Sequence, residues 1–151
     1  MLKPNRSRAL TVILLLVIFA SCKTLDHYYK TQEDLDLSIK AYNFEFESKA
    51  IDTSARFVHP ANRAQYLAKS LEITKRLTFF EATILDIKFF NNGVPTSGGS
   101  KKGFDRAIVV IRYQAAVLPS TKLKTLMVEQ EWVLYQDQWV TIPDLSMLLE
   151  Q

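Results

Sequence analysis

At Leu77 the spacing of apolar residues changes from one period to another, and that change restricts the chain to folds that pack helices on a sheet. Before it, Leu35, Ile39, Tyr42 and Phe46 recur every three or four residues, one stripe of an amphipathic helix that opens near Thr31 and Asp34. Asp36, Lys40, Asn43 and Glu47 fall between the stripe positions and are expected to face largely outward. After it, Thr83, Leu85, Ile87 and Phe89 alternate with Ile84, Asp86, Lys88 and Phe90, which is the two-residue period of a strand.

Two more helices are predicted between these segments. One spans about residues 52–58 and ends at His59, because Pro60 lacks an amide hydrogen and restricts the residue before it. The other spans about 61–75 and buries Tyr66, Leu67, Leu71 and Ile73. Residues 91–103 hold all four glycines and read as the principal loop. Strands follow at 104–118, 122–135 and 139–142, linked by Pro119-Ser120 and by Gln136-Asp137-Gln138. Links this short join antiparallel neighbours, since a parallel pair needs a crossover of about a dozen residues. Leu126, Val128, Trp132 and Leu134 share one face of the second long strand. Glu129 and Glu131 take the other face, with Arg112 on the preceding strand expected beside one of them. The predicted fold class is α+β, N-terminal helices packed on a bent antiparallel sheet.

Ahead of the domain, Lys3, Arg6 and Arg8 precede an apolar run over residues 9–20, and polar sequence follows at Lys23. A run of about twelve residues is short of the ~20 needed to span a bilayer as a helix, so an export signal is the better reading. Those three cations are part of 19 Lys+Arg, and without them 16 remain against 16 Asp+Glu, so the basic balance belongs to the signal. A neutral domain lacks the field that drives non-specific nucleic-acid binding, and none is expected.

The tetrad Phe19-Ala20-Ser21-Cys22 resembles the lipobox of bacterial lipoproteins, with Phe19 where leucine is usual. The resemblance implies cleavage before Cys22 and a diacylglyceryl thioether on its sulfur, followed by N-acylation, so that the chain is held at the membrane by lipid. Two or three acyl chains make such an anchor durable where one does not. Cys22 is the only cysteine, so it has no disulfide partner, and lipidation gives the thiol a use. Lys23 in place of the aspartate that retains lipoproteins at the inner membrane implies an outer-membrane anchor facing the periplasm. The expected organisation is a signal over 1–21, a lipidated terminus and tether over 22–31, and one domain over 32–151.

Helices followed by a bent sheet with Trp132, Tyr135, Asp137 and Trp139 around its last turn resemble the nuclear transport factor two-like superfamily, a cone-shaped α+β roll. Cystatin-like rolls fit the same pattern. The first resemblance implies a space between sheet and helices that some members use for isomerase or hydrolase chemistry and others for binding, so fold alone does not assign function. Tyr113, Asp105 and His59 are the candidate acid or base residues, each with an ordinary structural alternative: a packed strand aromatic, a strand-start residue and a helix-end residue. His27 and His59 are the only histidines and neither has a second ligand at a familiar spacing, so no metal or other cofactor is expected. Gly98-Gly99-Ser100-Lys101-Lys102-Gly103 departs from the G-x-x-x-x-G-K-[ST] spacing of phosphate loops and reads as a hairpin tip, its lysines within reach of a lipid head group or acidic partner. The expected function is a lipid-tethered binding or assembly module for an envelope protein, monomeric or weakly homodimeric, with a small isomerase- or lyase-like cavity enzyme as the alternative.

Overall fold

The computed structural model describes residues 22–100 and 103–150, for 22–30 the backbone alone. The predicted signal at 1–21 and the pair Lys101-Lys102 therefore lie outside the described residues. Helix α1, Cys22–Glu47, carries the predicted stripe, and Leu35, Ile39, Tyr42 and Phe46 are all buried. The described helix already includes residues 22–30, ahead of the start expected near Thr31, so the stretch expected as a tether is continuous with the helix. A Schellman motif closes it: Ala50 N–H reaches the Glu45 carbonyl at 2.8 Å and Lys49 N–H that of Phe46 at 3.0 Å, with Lys49 left-handed at φ 61°.

The second predicted helix is shorter than expected, one α turn (α2, Ile51–Ser54) followed by a 3₁₀ turn at Ala55–Phe57. A further 3₁₀ turn at Pro60–Asn62 then leads into α3, Arg63–Arg76. Its buried residues are Tyr66, Ser70 and Ile73, while Leu71 is exposed, because the stripe follows helical spacing through Ser70 and puts Leu71 on the far side.

The five strands are β1 Leu77–Asn91, β2 Val94–Thr96, β3 Arg106–Val117, β4 Leu123–Tyr135 and β5 Gln138–Pro143, in the order β2-β1-β3-β4-β5. All strand pairs are antiparallel. The fold is thus α+β, helices first and an open five-stranded antiparallel sheet after them. Strand β2 sits inside the predicted loop 91–103. Its signal is Asn92-Gly93, both at positive φ (49° and 78°), the two-residue hairpin turn that suits the twist of the strands. A short helix α4, Ser146–Leu149, ends the described chain and buries Leu148.

Strand β1 departs from simple alternation. Its register against β3 shifts between Phe79 and Glu81 and again between Ile84 and Asp86, so Phe80 and Leu85 are extra residues in two β-bulges. Each inserted residue reverses which parity faces the core. Leu77 and Phe79 are buried before the first bulge, Ala82 and Ile84 pack on the core after it, and Ile87 and Phe89 do so after the second. Leu85 and Phe80 are left at 47% and 61% exposure. The expectation that Thr83, Leu85, Ile87 and Phe89 share one face is corrected accordingly.

The sheet's inner face meets α1 and α3 through Tyr42, Phe46, Tyr66, Phe79, Tyr113 and Trp132, whose rings lie 5.2–6.3 Å apart in offset and edge-on pairs. Leu134, expected on that face, is 41% exposed at the end of β4, where Trp139 takes the inward place opposite it. On the outer face an ion pair forms on Glu131, but its cation is Arg106, six residues before the predicted Arg112. Arg106 Nε lies 2.7 Å from Glu131 Oε1, whereas Arg112 stands across from Met127 and donates to Thr83 Oγ1 at 3.2 Å. A half-exposed pair of this kind contributes about 0.2–1 kcal/mol.

Candidate functional site

Two features between the helices and the sheet are candidates for a site, one inside the core and one at its rim. The first is a polar cluster in the aromatic layer. Asn43 sits one step off the apolar stripe of α1, and both it and Gln130 of β4 are buried, against the expectation that Asn43 faces outward. The Tyr113 hydroxyl donates a short hydrogen bond to Asn43 Oδ1, and Gln130 Nε2 donates to the same oxygen at 2.7 Å. Asn43 Nδ2 donates to the Ile39 carbonyl at 2.8 Å and to Gln130 Oε1 at 3.3 Å. Trp132 Nε1 donates to that same Gln130 oxygen at 3.3 Å. Every polar end in the cluster has a partner, as a buried polar group needs.

This closed circuit decides the chemistry of Tyr113. Burial pushes its phenol far above the ordinary tyrosine range, with the negative charge of Glu47 adding to the shift. The proton therefore stays on the oxygen at any physiological pH. A phenol committed to Asn43 and enclosed among Phe46 and Phe79 is a core strut, not an acid or base.

The other two candidates lie elsewhere and share no partner with it. The Asp105 carboxylate accepts the Asn92 amide at 3.2 Å and so braces the β1–β2 hairpin. His59 Nδ1 accepts the Ala61 amide at 3.3 Å, capping the 3₁₀ turn, and its ring stands edge-on to Tyr135 at 4.8 Å. Its backbone N–H donates to the Thr141 carbonyl at 2.9 Å, and Val58 bridges Thr141 in parallel, so this segment closes the outer edge of β5. Among the described residues there is no group of three metal-ligating side chains. No helix among them is long and apolar enough to cross a membrane.

The second feature is a cleft of about 490 Å³ between α1 and β1, lined by Phe44, Glu47, Phe80, Glu81, Ile84 and others. Phe44 and Phe80 are 71% and 61% exposed, the two most exposed aromatic rings of the described residues. Phe80 owes its position to the first bulge. Glu47, expected on the outer face of its helix, is half-buried at the cleft. Burial raises its pKa above the usual carboxylate range and the nearby charge of Glu81 raises it further, while the Ala82 amide donates to it and opposes both. Neither carboxylate has an ion-pair partner among the described residues. Lys40, also at the cleft, is taken by Asp36 one helical turn away at 2.5 Å.

The sign of the Glu47 shift gives a prediction. A carboxyl whose pKa is higher folded than unfolded helps the fold while protonated, and that help is lost as pH rises from the unfolded to the folded value. Above that window the ionised group opposes folding. Glu47→Gln is therefore expected to raise the melting temperature slightly at pH 7, by no more than about 2 °C, and not at pH 3. Equal or lower melting at pH 7 contradicts the assignment.

Sequence spacing missed this site because a bulge moved Phe80 outward. The one sequence signal was the succession Phe79-Phe80, two aromatics that a regular half-buried strand does not place together. Two further clefts of about 440 Å³ lie beside Leu37 and Trp139 and beside Met127 and Met147. Comparison of the chain with protein-family models, with curated proteins and with solved structures returns no match.

Proposed function

We propose that this chain is an exported lipoprotein, acylated at Cys22 and held at the periplasmic face of the outer membrane, whose domain binds a partner protein of the envelope. We read its helix-on-sheet arrangement as the cone-shaped roll of the nuclear transport factor two-like superfamily. The observation that carries the binding reading is where the apolar surface lies. The space between helices and sheet is filled by Tyr42, Phe46, Tyr113 and Trp132, all at 1% exposure or less, while Phe44 and Phe80 are displayed to solvent. An enzyme cavity needs inward ionisable groups around a space that admits a substrate. The inward phenol here is bonded on every side. Exposed large apolar rings beside unpaired charges are instead a feature of contact surfaces.

The anchor reading rests on the cationic start, the apolar run and the lone Cys22 behind small residues. On this reading α1, continuous from Cys22 to Leu35, the first buried residue among those whose side chains are described, would hang the domain on about 20 Å of helix. Confinement near the membrane raises the effective concentration of the domain for any membrane partner without a tight interface.

The test compares the chain with its Cys22→Ala form. The unmodified chain is expected to sediment with membranes, and its mature amino terminus to carry the mass of a diacylglyceryl group on Cys22. Cys22→Ala is expected to remain an unprocessed precursor or to appear in the soluble fraction. Identical size and fractionation of the two forms would overturn the lipoprotein reading.

A further inference from the structure

Strand β1 supplies five of the residues lining the cleft, where β3 supplies Ile111, and one side of β1 is open. Strand β2 pairs with it at Phe89, Phe90 and Asn91 alone, and β3 occupies the opposite side, so from 77 to 88 one edge of β1 has no strand partner among the described residues. Exposed edges are templates for another strand, and natural sheets blunt them with bulges and charges. Here the two bulges at Phe80 and Leu85 frame a short stretch, Glu81 to Ile84, that stays open between them. Glu47 of α1 lies at this stretch, lining the cleft together with Glu81, Ala82, Thr83 and Ile84.

The surroundings state what kind of strand fits. Phe44 and Phe80 offer apolar faces, and Glu47 and Glu81 offer two carboxylates lining the same cleft. Lys40 does not relieve them, being paired with Asp36. A cation placed between the two would. We propose that the open edge of β1 between its bulges docks an extended segment of a partner protein that carries a lysine or arginine flanked by apolar residues. The main chain of that segment would pair with β1, its cation would meet Glu47 and Glu81, and its apolar side chains would cover Phe44 and Phe80. A second copy of this chain is a poorer occupant. Two-fold pairing of β1 on β1 around this stretch brings two Glu47 and two Glu81 into one site.

This deepens the binding-module reading and is independent of the lipid anchor, so the test uses the full-length chain in detergent and scores peptide binding apart from membrane attachment. The probe is a fluorescent seven-residue peptide of alternating threonine and valine with a central lysine, compared by anisotropy with its twin carrying a central glutamate. Saturable binding of the lysine peptide, at least tenfold tighter than the glutamate peptide, is expected. Glu47→Gln with Glu81→Gln is expected to reduce that preference to about twofold or less, and Phe80→Ser to weaken the lysine peptide about tenfold. Phe80 is exposed, so its replacement leaves the fold intact, which circular dichroism checks. No saturable binding up to millimolar peptide, equal binding of the two peptides, or binding indifferent to all three substitutions overturns the proposal. So does a dimer seen by sedimentation that Phe80→Ser dissolves, since the edge would then belong to a second copy.

Discussion

Trp132→Ala is expected to destabilise the domain by about 3–5 kcal/mol and to lower its melting temperature by roughly 10–20 °C. The indole is fully buried on β4, stands edge-on to Tyr42 at 5.8 Å and donates to Gln130. Removing it deletes the largest fully buried side chain and leaves a void that the sheet cannot close, because its neighbours are fixed by strand pairing on both sides. It also frees Gln130 Oε1 from one of its two donors. Thermal and denaturant unfolding check the result. A loss below about 1.5 kcal/mol would mean that the aromatic layer is not the structural centre of the fold.

The second large effect is expected at Asn43. Asn43→Leu keeps the branching and heavy-atom count of the side chain but removes the oxygen that accepts from both Tyr113 and Gln130. The Tyr113 hydroxyl then has no acceptor, while Gln130 Nε2 keeps only the Tyr113 oxygen at 3.1 Å; a buried donor left without an acceptor costs about 1–3 kcal/mol, so a loss of about 2–3 kcal/mol is expected. Tyr113→Phe alone takes away one donor and leaves Asn43 Oδ1 still bonded to Gln130, for a loss of about 1 kcal/mol. Combining the two is expected to cost less than the sum, since the second change removes a hydroxyl the first has already stranded. Strict additivity in that double-mutant cycle would break the claim that these groups form one network.

These two sites differ in how far they can be read from the chain. Trp132 was legible, because a large apolar residue at the right parity with Leu126 and Val128 has one place to go in a half-buried strand. Asn43 was not. Its spacing put it on the polar flank of α1, and an asparagine is ordinarily solvated there. It is buried because Gln130 and Tyr113 reach it from two strands 87 and 70 residues further along, a coincidence of three polar groups that no local window contains.

The rim site shows the limit from the other side. Glu47 was expected to face outward and is half-buried, and Phe80 was hidden in a strand that looked continuous. A bulge is a local insertion whose position depends on which partner residue each strand residue meets, and β1 meets β3 some thirty residues away. Hydrophobic period registers the strand but not the slip within it. The type of the β1–β2 hairpin, by contrast, was present in Asn92-Gly93, because positive φ at two successive positions is a requirement those residues meet by themselves.

What the sequence determined alone was therefore what depends on nearby residues: the helical stripe from Leu35 to Phe46, the change to strand spacing at Leu77, the short antiparallel links, and an amino terminus whose order of charge, apolar run, small residues and Cys22 is read in one pass. What the tertiary structure decided was which of those residues face each other. Burial and hydrogen-bond satisfaction are properties of pairs, and the pairs that close the Asn43–Tyr113–Gln130 circuit, seat Arg106 rather than Arg112 on Glu131 and leave Phe80 and the edge of β1 open are set by strand register and helix placement across the whole chain.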